Sequence, residues 1–173
     1  NARANSLPFR NASFDFIFCV NAVHHFDDKP GFIRDAFTLL KPGGGLAIVG
    51  IDPRTIRKRY IYDYFDTTLP TDLARYPSFG QIVDAMSEAG LEDINHRILH
   101  VWRDRLHGRE VLSDPFLQHD SNSTLALLSN EQYRIGLERI NEAAKANAVF
   151  ETILPFGMTT GRRSPWDSIL RLT

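Results

Sequence analysis

The hydrophobic pattern of the first third of the chain predicts a strand, a helix and a second strand. Phe14 to Val20 is a nearly continuous apolar run. It is typical of a central parallel strand buried on both faces, because a half-exposed strand would alternate. Asp28 can cap a helix, whose buried stripe is predicted at helical spacing by Ile33, Ala36, Phe37 and Leu40. Pro42 and Gly43 are expected to end this helix before a second buried strand at Leu46 to Ile51. This order is typical of a right-handed crossover unit.

Capped helices and apolar strands continue through the rest of the chain. Two serine–glutamine pairs form capping-box patterns that open amphipathic helices, Ser78 with Gln81 and Ser129 with Gln132. Ile94 to Trp102 predicts a third strand, and Val149 to Phe156 predicts a last strand that Gly157 ends. The segment from Ser113 to Ala148 places a loop and a helix between these two strands.

Two segments break this pattern and are interpreted as caps or insertions on the cleft side of the sheet. Residues 53–77 combine basic and aromatic residues with prolines and are too irregular for a single long element. Interleaved charges and rings would suit single-stranded RNA. At a net charge of -1, however, the basic side chains are interpreted as a solvated face. The aromatic rings would either pack in the core or enclose a small molecule. Residues 103–128 are polar and rich in turn residues. The domain is expected to span residues 1–163, with 164–173 as a tail.

Composition and charge are those of an ordinary folded chain and narrow the range of partners. Of 173 residues, 43% are hydrophobic and 24% are charged. With a formal net charge of -1, no overall positive field supports binding to nucleic acid or to anionic lipid. No stretch approaches the roughly 20 apolar residues of a membrane span, and a cytoplasmic location is the default expectation. The single cysteine, Cys19, excludes a disulfide within the chain and is predicted to be a buried hydrophobe.

Five short motifs follow one another in the first part of the chain: Ala2-Arg3-Ala4, Leu7-Pro8-Phe9, Ser13-Phe14-Asp15, His24-His25-Phe26 and Leu39-Leu40-Lys41-Pro42-Gly43-Gly44-Gly45. In that order and at that spacing they resemble the second half of the catalytic domain of class I S-adenosylmethionine-dependent methyltransferases. The resemblance implies an α/β fold, namely the C-terminal portion of a Rossmann-like sheet with helices on its faces. This sheet is mixed, with an antiparallel last strand. The chain is accordingly expected to begin in mid-domain, without the glycine-rich loop of such enzymes.

The resemblance also implies a reaction, the transfer of a methyl group from S-adenosyl-L-methionine to a small-molecule acceptor. Arg3 and Ala4 would lie where the adenine of the cofactor is held, and Val20 and Asn21 where its methionine portion is approached. Arg3 departs from the acidic or amide residue common in the family, since a guanidinium cannot accept a hydrogen bond from the adenine amino group. It would either stack on the adenine or be a solvated residue. The identity of the acceptor does not follow from the sequence.

The adjacent histidines His24 and His25 are the candidate catalytic residues. The resemblance places them after the central strand on the acceptor side, where an imidazole could remove a proton from an attacking oxygen or nitrogen. Alternatively, one ring packs and forms local hydrogen bonds while its neighbour faces solvent. A metal site is not expected, because adjacent histidines lack the spacing of zinc ligands. His96 and His100, on a predicted strand, are interpreted as surface or packing residues.

Three further expectations follow. If the strands are parallel, residues just after Val20, Ile51 and Trp102 lie around one cleft. Without a neighbour, the strand Phe14 to Val20 would expose a hydrophobic edge that favours aggregation or pairing with another chain. These residues alone are expected to bind the cofactor poorly.

Two other classes of function stay open. A non-catalytic interaction module could derive from a truncated methyltransferase fold. A nucleotide-binding oxidoreductase would share the strand–helix–strand order, but the glycines at 43–45 follow a helix and precede a strand, the reverse of a dinucleotide-binding loop.

Overall fold

Residues 8–166 are described by the computed structural model, and they contain five strands and five α-helices. The strands are β1 (Phe14–Val20), β2 (Leu40–Gly50), β3 (Lys58–Arg59), β4 (Leu91–His107) and β5 (Val149–Arg163). The helices are α1 (Lys29–Leu39), α2 (Tyr60–Tyr64), α3 (Thr68–Arg75), α4 (Phe79–Glu88) and α5 (Asn130–Lys145). The chain divides into two compact units. The first unit contains the described residues up to Asp52, then Tyr76–His100 and the described residues from Phe156 to Trp166. The second unit contains Pro53–Arg75 and Val101–Pro155.

The sheet of the first unit is mixed. β1 and β2 run parallel, with Phe16 opposite Gly45 and Val20 opposite Val49. β2 pairs antiparallel with β5, from Gly45 opposite Arg162 to Gly50 opposite Gly157. Parallel pairing requires a long crossover connection, and α1 supplies it. The predicted α/β class with an antiparallel last strand is therefore confirmed.

β1 has the predicted boundaries but not the predicted burial. Phe16, Phe18 and Val20 are 56%, 71% and 52% exposed, whereas Cys19 is buried. Among the described residues β1 pairs with β2 alone, so it is an edge strand. The face of β1 that carries Phe16, Phe18 and Val20 is exposed. The prediction of a strand buried on both faces is wrong for this part of the chain, because a continuous apolar run does not reveal whether both faces are covered. The expected hydrophobic edge is present.

Helix α1 begins as its sequence predicts and ends slightly earlier. The Asp28 carboxylate accepts a hydrogen bond of 2.7 Å from the Gly31 N–H and so caps the first turn. The helix buries Phe32, Ile33, Ala36 and Leu39. It ends at Leu39, where β2 begins, so Pro42 and Gly43 lie within the strand and do not terminate the helix.

Both predicted capping boxes are present. The Ser78 hydroxyl accepts from the Gln81 N–H at 3.1 Å, and the Gln81 side chain accepts from the Ser78 N–H at 2.8 Å. Ser129 and Gln132 repeat the arrangement at 3.2 Å and 2.9 Å. These pairs satisfy amide groups that a helix start otherwise leaves unbonded, so helices α4 and α5 begin where the sequence indicates.

β4 and β5 are both longer than predicted, and Gly157 does not end β5. A Cβ atom at Gly157 would lie 2.6 Å from the Phe79 ring and 2.7 Å from the His96 ring. The His96 ring packs at 4.3 Å from that of Phe79, and its Nδ1 lies 3.0 Å from the Thr159 hydroxyl. The glycine is therefore required where two rings approach the strand closely, and His96 is a packing residue as expected.

Substitution of Gly157 by alanine is expected to lower the free energy of unfolding by about 1–3 kcal/mol, because the two rings would have to move. The matched control is Gly80→Ala, at an exposed position in α4 where the added Cβ meets only the Ser78 hydroxyl at 3.7 Å. That change is expected to stabilise the helix by up to about 1 kcal/mol. Urea denaturation followed by circular dichroism measures both. Equal effects in the two variants would contradict the packing role of Gly157.

The second unit contains the segments interpreted as insertions. β3 pairs antiparallel with the first half of β5, with Lys58 opposite Ile153. Residues 53–77 are not one long element but include β3, α2 and α3, and three short 3-10 turns follow β4 within 103–128. A separate core includes Ile61, Phe65, Val111, Ile140 and Phe150. The position of these segments relative to a cleft stays a prediction. None of the helices within residues 8–166 combines the length and the apolar composition of a membrane-spanning segment.

A buried ionic network joins three segments of this second unit. Asp72, which is fully buried, accepts hydrogen bonds at its Oδ2 from the Arg59 guanidinium at 3.2 Å, the Tyr62 hydroxyl at 2.9 Å and the Thr124 hydroxyl at 2.9 Å. Arg75 lies 3.6 Å from the other carboxylate oxygen. Burial raises the pKa of the Tyr62 hydroxyl, so it remains a donor to Asp72. The network holds α2, α3 and the turn at Thr124 together.

Candidate functional site

Two strand ends define the candidate site, which lies within the first unit. Because β1 and β2 are parallel, the residues that follow them emerge at the same edge of the sheet. Asn21 comes directly after β1, and its N–H donates to the Val49 carbonyl at 2.9 Å. Asp52 lies two residues beyond the end of β2. In open α/β sheets, ligands bind at the carboxyl ends of parallel strands.

The backbone conformation of Asn21 places an exposed side-chain amide at this edge. Its φ is +47°, a left-handed conformation that asparagine tolerates better than most residues. The side chain is exposed, and its Oδ1 lies 3.7 Å from the position that a Cβ of Gly50 would occupy. The absent side chain at Gly50 thus leaves room beside the amide, which can both donate and accept hydrogen bonds. Val20, immediately before it, is half exposed.

The histidine pair lies on a short 3-10 turn, Val23–His25, beyond the end of β1. The His24 side chain is buried, and its ring stacks on that of Tyr76 with centroids 3.9 Å apart and planes at 12°. His25 is exposed, and its ring is tilted by 42° at 4.1 Å from that of His24. The two adjacent imidazoles therefore have different surroundings, one held between protein groups and the other in solvent.

Asp52 is a buried carboxylate at the same edge. It is 4% exposed, and its Oδ2 accepts a hydrogen bond of 3.2 Å from the Phe79 N–H, the first residue of α4. A carboxylate at a helix N-terminus is favoured by the unbonded amides and by the helix dipole. Asp52 thereby ties the end of β2 to the start of α4.

Asp52 is the residue just after Ile51, which the sequence places near the cleft only by its position, and Tyr76 is not predicted as a site residue. Asp52 carried a usable signal, because it follows a predicted strand where ligands of parallel sheets bind. Tyr76 has no recognisable signal in the sequence, since its contact with His24 joins distant parts of the chain.

Not every residue named from the sequence can be located at this edge. Arg3 and Ala4 lie outside the described residues. β4 runs on to His107, so Trp102 lies inside a strand and not at its end. That the residues after it border the cleft stays a prediction. His100 is exposed. Within residues 8–166, no three histidine, cysteine or acidic side chains are grouped as metal ligands would be.

Cys19, near the end of β1, is buried as predicted. Burial is the largest influence on its thiol and raises the pKa above its ordinary value, against the opposing effect of hydrogen bonds from Ala22 and Val23. A thiol with a raised pKa is a poor nucleophile at neutral pH. Its role is therefore in packing.

Comparison with known proteins supports the resemblance. Residues 1–48 match the methyltransferase domain family. Over 47 residues the chain is 43% identical to 27-O-demethylrifamycin SV methyltransferase of Amycolatopsis mediterranei, an alignment covering 27% of this chain and 17% of that protein. The chain spans between 17% and 42% of the length of such curated relatives.

Solved structures extend the likeness to nearly the whole chain. A protein from an antibiotic biosynthesis pathway of Anabaena variabilis, assigned as a methyltransferase, matches with a TM-score of 0.67 at 16% identity, covering 92% of this chain and 71% of that one. Phosphoethanolamine N-methyltransferase 2 of Haemonchus contortus, solved with S-adenosyl-L-methionine, matches with a TM-score of 0.51 at 16% identity, covering 94% and 36%. These structures confirm the Rossmann-like fold, and the match over residues 1–48 confirms the resemblance to methyltransferases in that part of the chain.

Proposed function

We propose that this chain forms part of a methyltransferase that transfers a methyl group from S-adenosyl-L-methionine to a small-molecule acceptor. The observation that carries the proposal is the parallel pair β1 and β2, whose carboxyl ends bring Asn21, the histidine turn and Asp52 to one edge of the sheet. The family match covers the first of these strands and most of the second. The curated relatives include methyltransferases of small molecules, such as the rifamycin enzyme.

The cofactor is assigned to the edge formed by Val20 and Asn21. Its fit rests on the exposed Asn21 amide and on the free space at Gly50, which a side chain at residue 50 would narrow. When bound, S-adenosyl-L-methionine supplies an electrophilic methyl group on a positively charged sulfur. The Asn21 amide would orient the polar methionine portion, and Arg3 and Ala4 would hold the adenine.

His24 is assigned as the base that removes a proton from the attacking oxygen or nitrogen of the acceptor. Its ring is held by stacking, and a group in a fixed orientation removes a proton more effectively than a mobile one. His25 is exposed and could take the same role only from a less constrained position. Positioning of the acceptor then supplies much of the remaining rate.

A second candidate function is favoured by the open apolar side of β1. Phe16 and Phe18 are 56% and 71% exposed, a pattern that also suits a non-catalytic module that binds another protein. Such a module would not require either histidine. A nucleotide-binding oxidoreductase has no comparable supporting observation.

Methyl transfer can be tested directly with S-adenosyl-L-methionine that carries a tritiated methyl group. The native protein containing residues 1–173 is incubated with a panel of small hydroxyl and amine compounds, and the products are extracted and counted. We expect label in at least one product, with S-adenosylhomocysteine formed in equal amount. The control omits the acceptor. Binding of a nicotinamide cofactor without any labelled product would contradict the proposal.

A further inference from the structure

We propose that Tyr76 is a positioning residue, whose ring holds the His24 imidazole in the orientation needed to take a proton from the acceptor. This proposal rests on the proposed function. Tyr76 thereby joins the site from a distant part of the sequence. Of the two histidines, His24 has an oriented ring and His25 a solvated one.

The turn that carries His24 cannot orient the side chain by itself. It contains only three residues, and its backbone is closed by hydrogen bonds from His25 to Ala22 at 2.9 Å and from Phe26 to Val23 at 3.2 Å. These bonds fix the backbone of the turn and do not themselves involve the His24 ring. The stacked contact with Tyr76, at 3.9 Å and 12°, acts directly on the ring and restrains the plane of the imidazole.

Tyr76 is itself rigidly placed. It is 9% exposed and precedes the Ser78 capping box, which opens α4. The first residue of that helix, Phe79, donates its N–H to the Asp52 carboxylate at the end of β2. α4 also buries three side chains in the core of the first unit, Ile82, Ala85 and Met86. The tyrosine ring is thus tied through Asp52 to the same sheet edge that carries His24.

Stacking on an aromatic ring also favours the charged imidazole. When His24 accepts a proton it becomes a cation, and the negative face of the Tyr76 ring attracts a cation placed over it. This attraction is larger in the transition state than in the ground state, so it should act on kcat and hardly at all on KM. A purely structural contact would have no such selectivity.

The orientation can be measured without an activity assay. Histidine ring signals are recorded by proton–carbon correlation NMR in the wild-type protein, in Tyr76→Phe and in Tyr76→Leu, and the His24 signal is assigned by its loss in His24→Gln. We expect the ring-current shift of His24 to be kept in Tyr76→Phe and lost in Tyr76→Leu. A His24 signal unchanged in Tyr76→Leu would overturn the stacking role. Backbone amide spectra show whether each variant is folded.

The kinetic test uses the same two variants in the methyl-transfer assay. We expect Tyr76→Leu to lower kcat about tenfold with KM for the acceptor changed less than about twofold, and Tyr76→Phe to keep most of kcat. Equal losses of kcat in both variants, or a change in KM alone, would overturn the positioning role. A wild-type protein without methyl transfer overturns the proposed function and the catalytic part of this inference, whereas the NMR result reports on the stack by itself.

Discussion

Replacement of Asp72 by alanine is expected to lower the free energy of unfolding by about 3–5 kcal/mol. Asp72 is fully buried, and its carboxylate faces the guanidinium groups of Arg59 and Arg75. The Arg59 side chain is only 9% exposed, so the loss of its anion leaves a positive charge with little access to water. The hydroxyls of Tyr62 and Thr124 lose an acceptor at the same time. The cost is therefore that of an uncompensated buried charge together with unsatisfied donors.

The matched control is Asp66→Ala, in the same unit. Asp66 also pairs with an arginine, Arg139, at 2.7 Å, but its side chain is 81% exposed. Water can replace the lost partner there, so the expected cost is at most about 1 kcal/mol. Urea denaturation of the wild type and both variants measures the change in the free energy of unfolding that each substitution causes. Similar midpoints for the two variants would contradict the view that burial makes the Asp72 network decisive.

Replacement of His24 by alanine is expected to lower the rate of methyl transfer by about 10² or more, because a positioned base contributes on that order to proton transfer. His25→Ala serves as the matched control, since the neighbouring residue has the same chemistry but is exposed. We expect that variant to keep a rate close to that of the wild type. His24→Gln should lose activity as well, because an amide preserves a polar side chain without a titratable base.

These variants also separate the candidate functions. Rates that fall for His25→Ala and persist for His24→Ala would assign the base to the exposed ring. Unchanged rates in both variants would exclude a histidine base. Absence of methyl transfer in the wild type and in every variant, together with binding of another protein, would favour the non-catalytic interaction module. Circular dichroism of each variant verifies that the loss of the His24 and Tyr76 stack has not unfolded the chain.

The parts of the fold that could be predicted from the sequence depend on short-range interactions. The Asp28 cap and the two serine–glutamine boxes were recognisable because each hydrogen bond spans three residues. The boundaries of β1 follow from the polar residues on either side of its apolar run. Local signals of this kind need no knowledge of the rest of the molecule.

The parts that could not be predicted depend on residues distant in the sequence. The sequence predicts Gly157 as the end of a strand, because a glycine that separates segments and a glycine that makes room for rings look alike in a sequence. The exposure of Phe16 and Phe18 depends on which elements cover β1. In the candidate site, Asn21 and His24 were recognised through the family resemblance, while Tyr76 required the structure.

The buried network around Asp72 also constrains how this part of the molecule can evolve. Arg59, Tyr62 and Thr124 each depend on the same carboxylate oxygen, so their contributions to stability are not additive. Loss of the charge at position 72 alone leaves the buried Arg59 without its anion, and loss of the charge at position 59 alone leaves the buried Asp72 with one cation fewer, so either single step is unfavourable. The four positions are thus epistatically coupled, and replacing the network by an apolar core would require nearly simultaneous substitutions. Drift in the second unit is expected to leave this set intact while the surrounding exposed residues change.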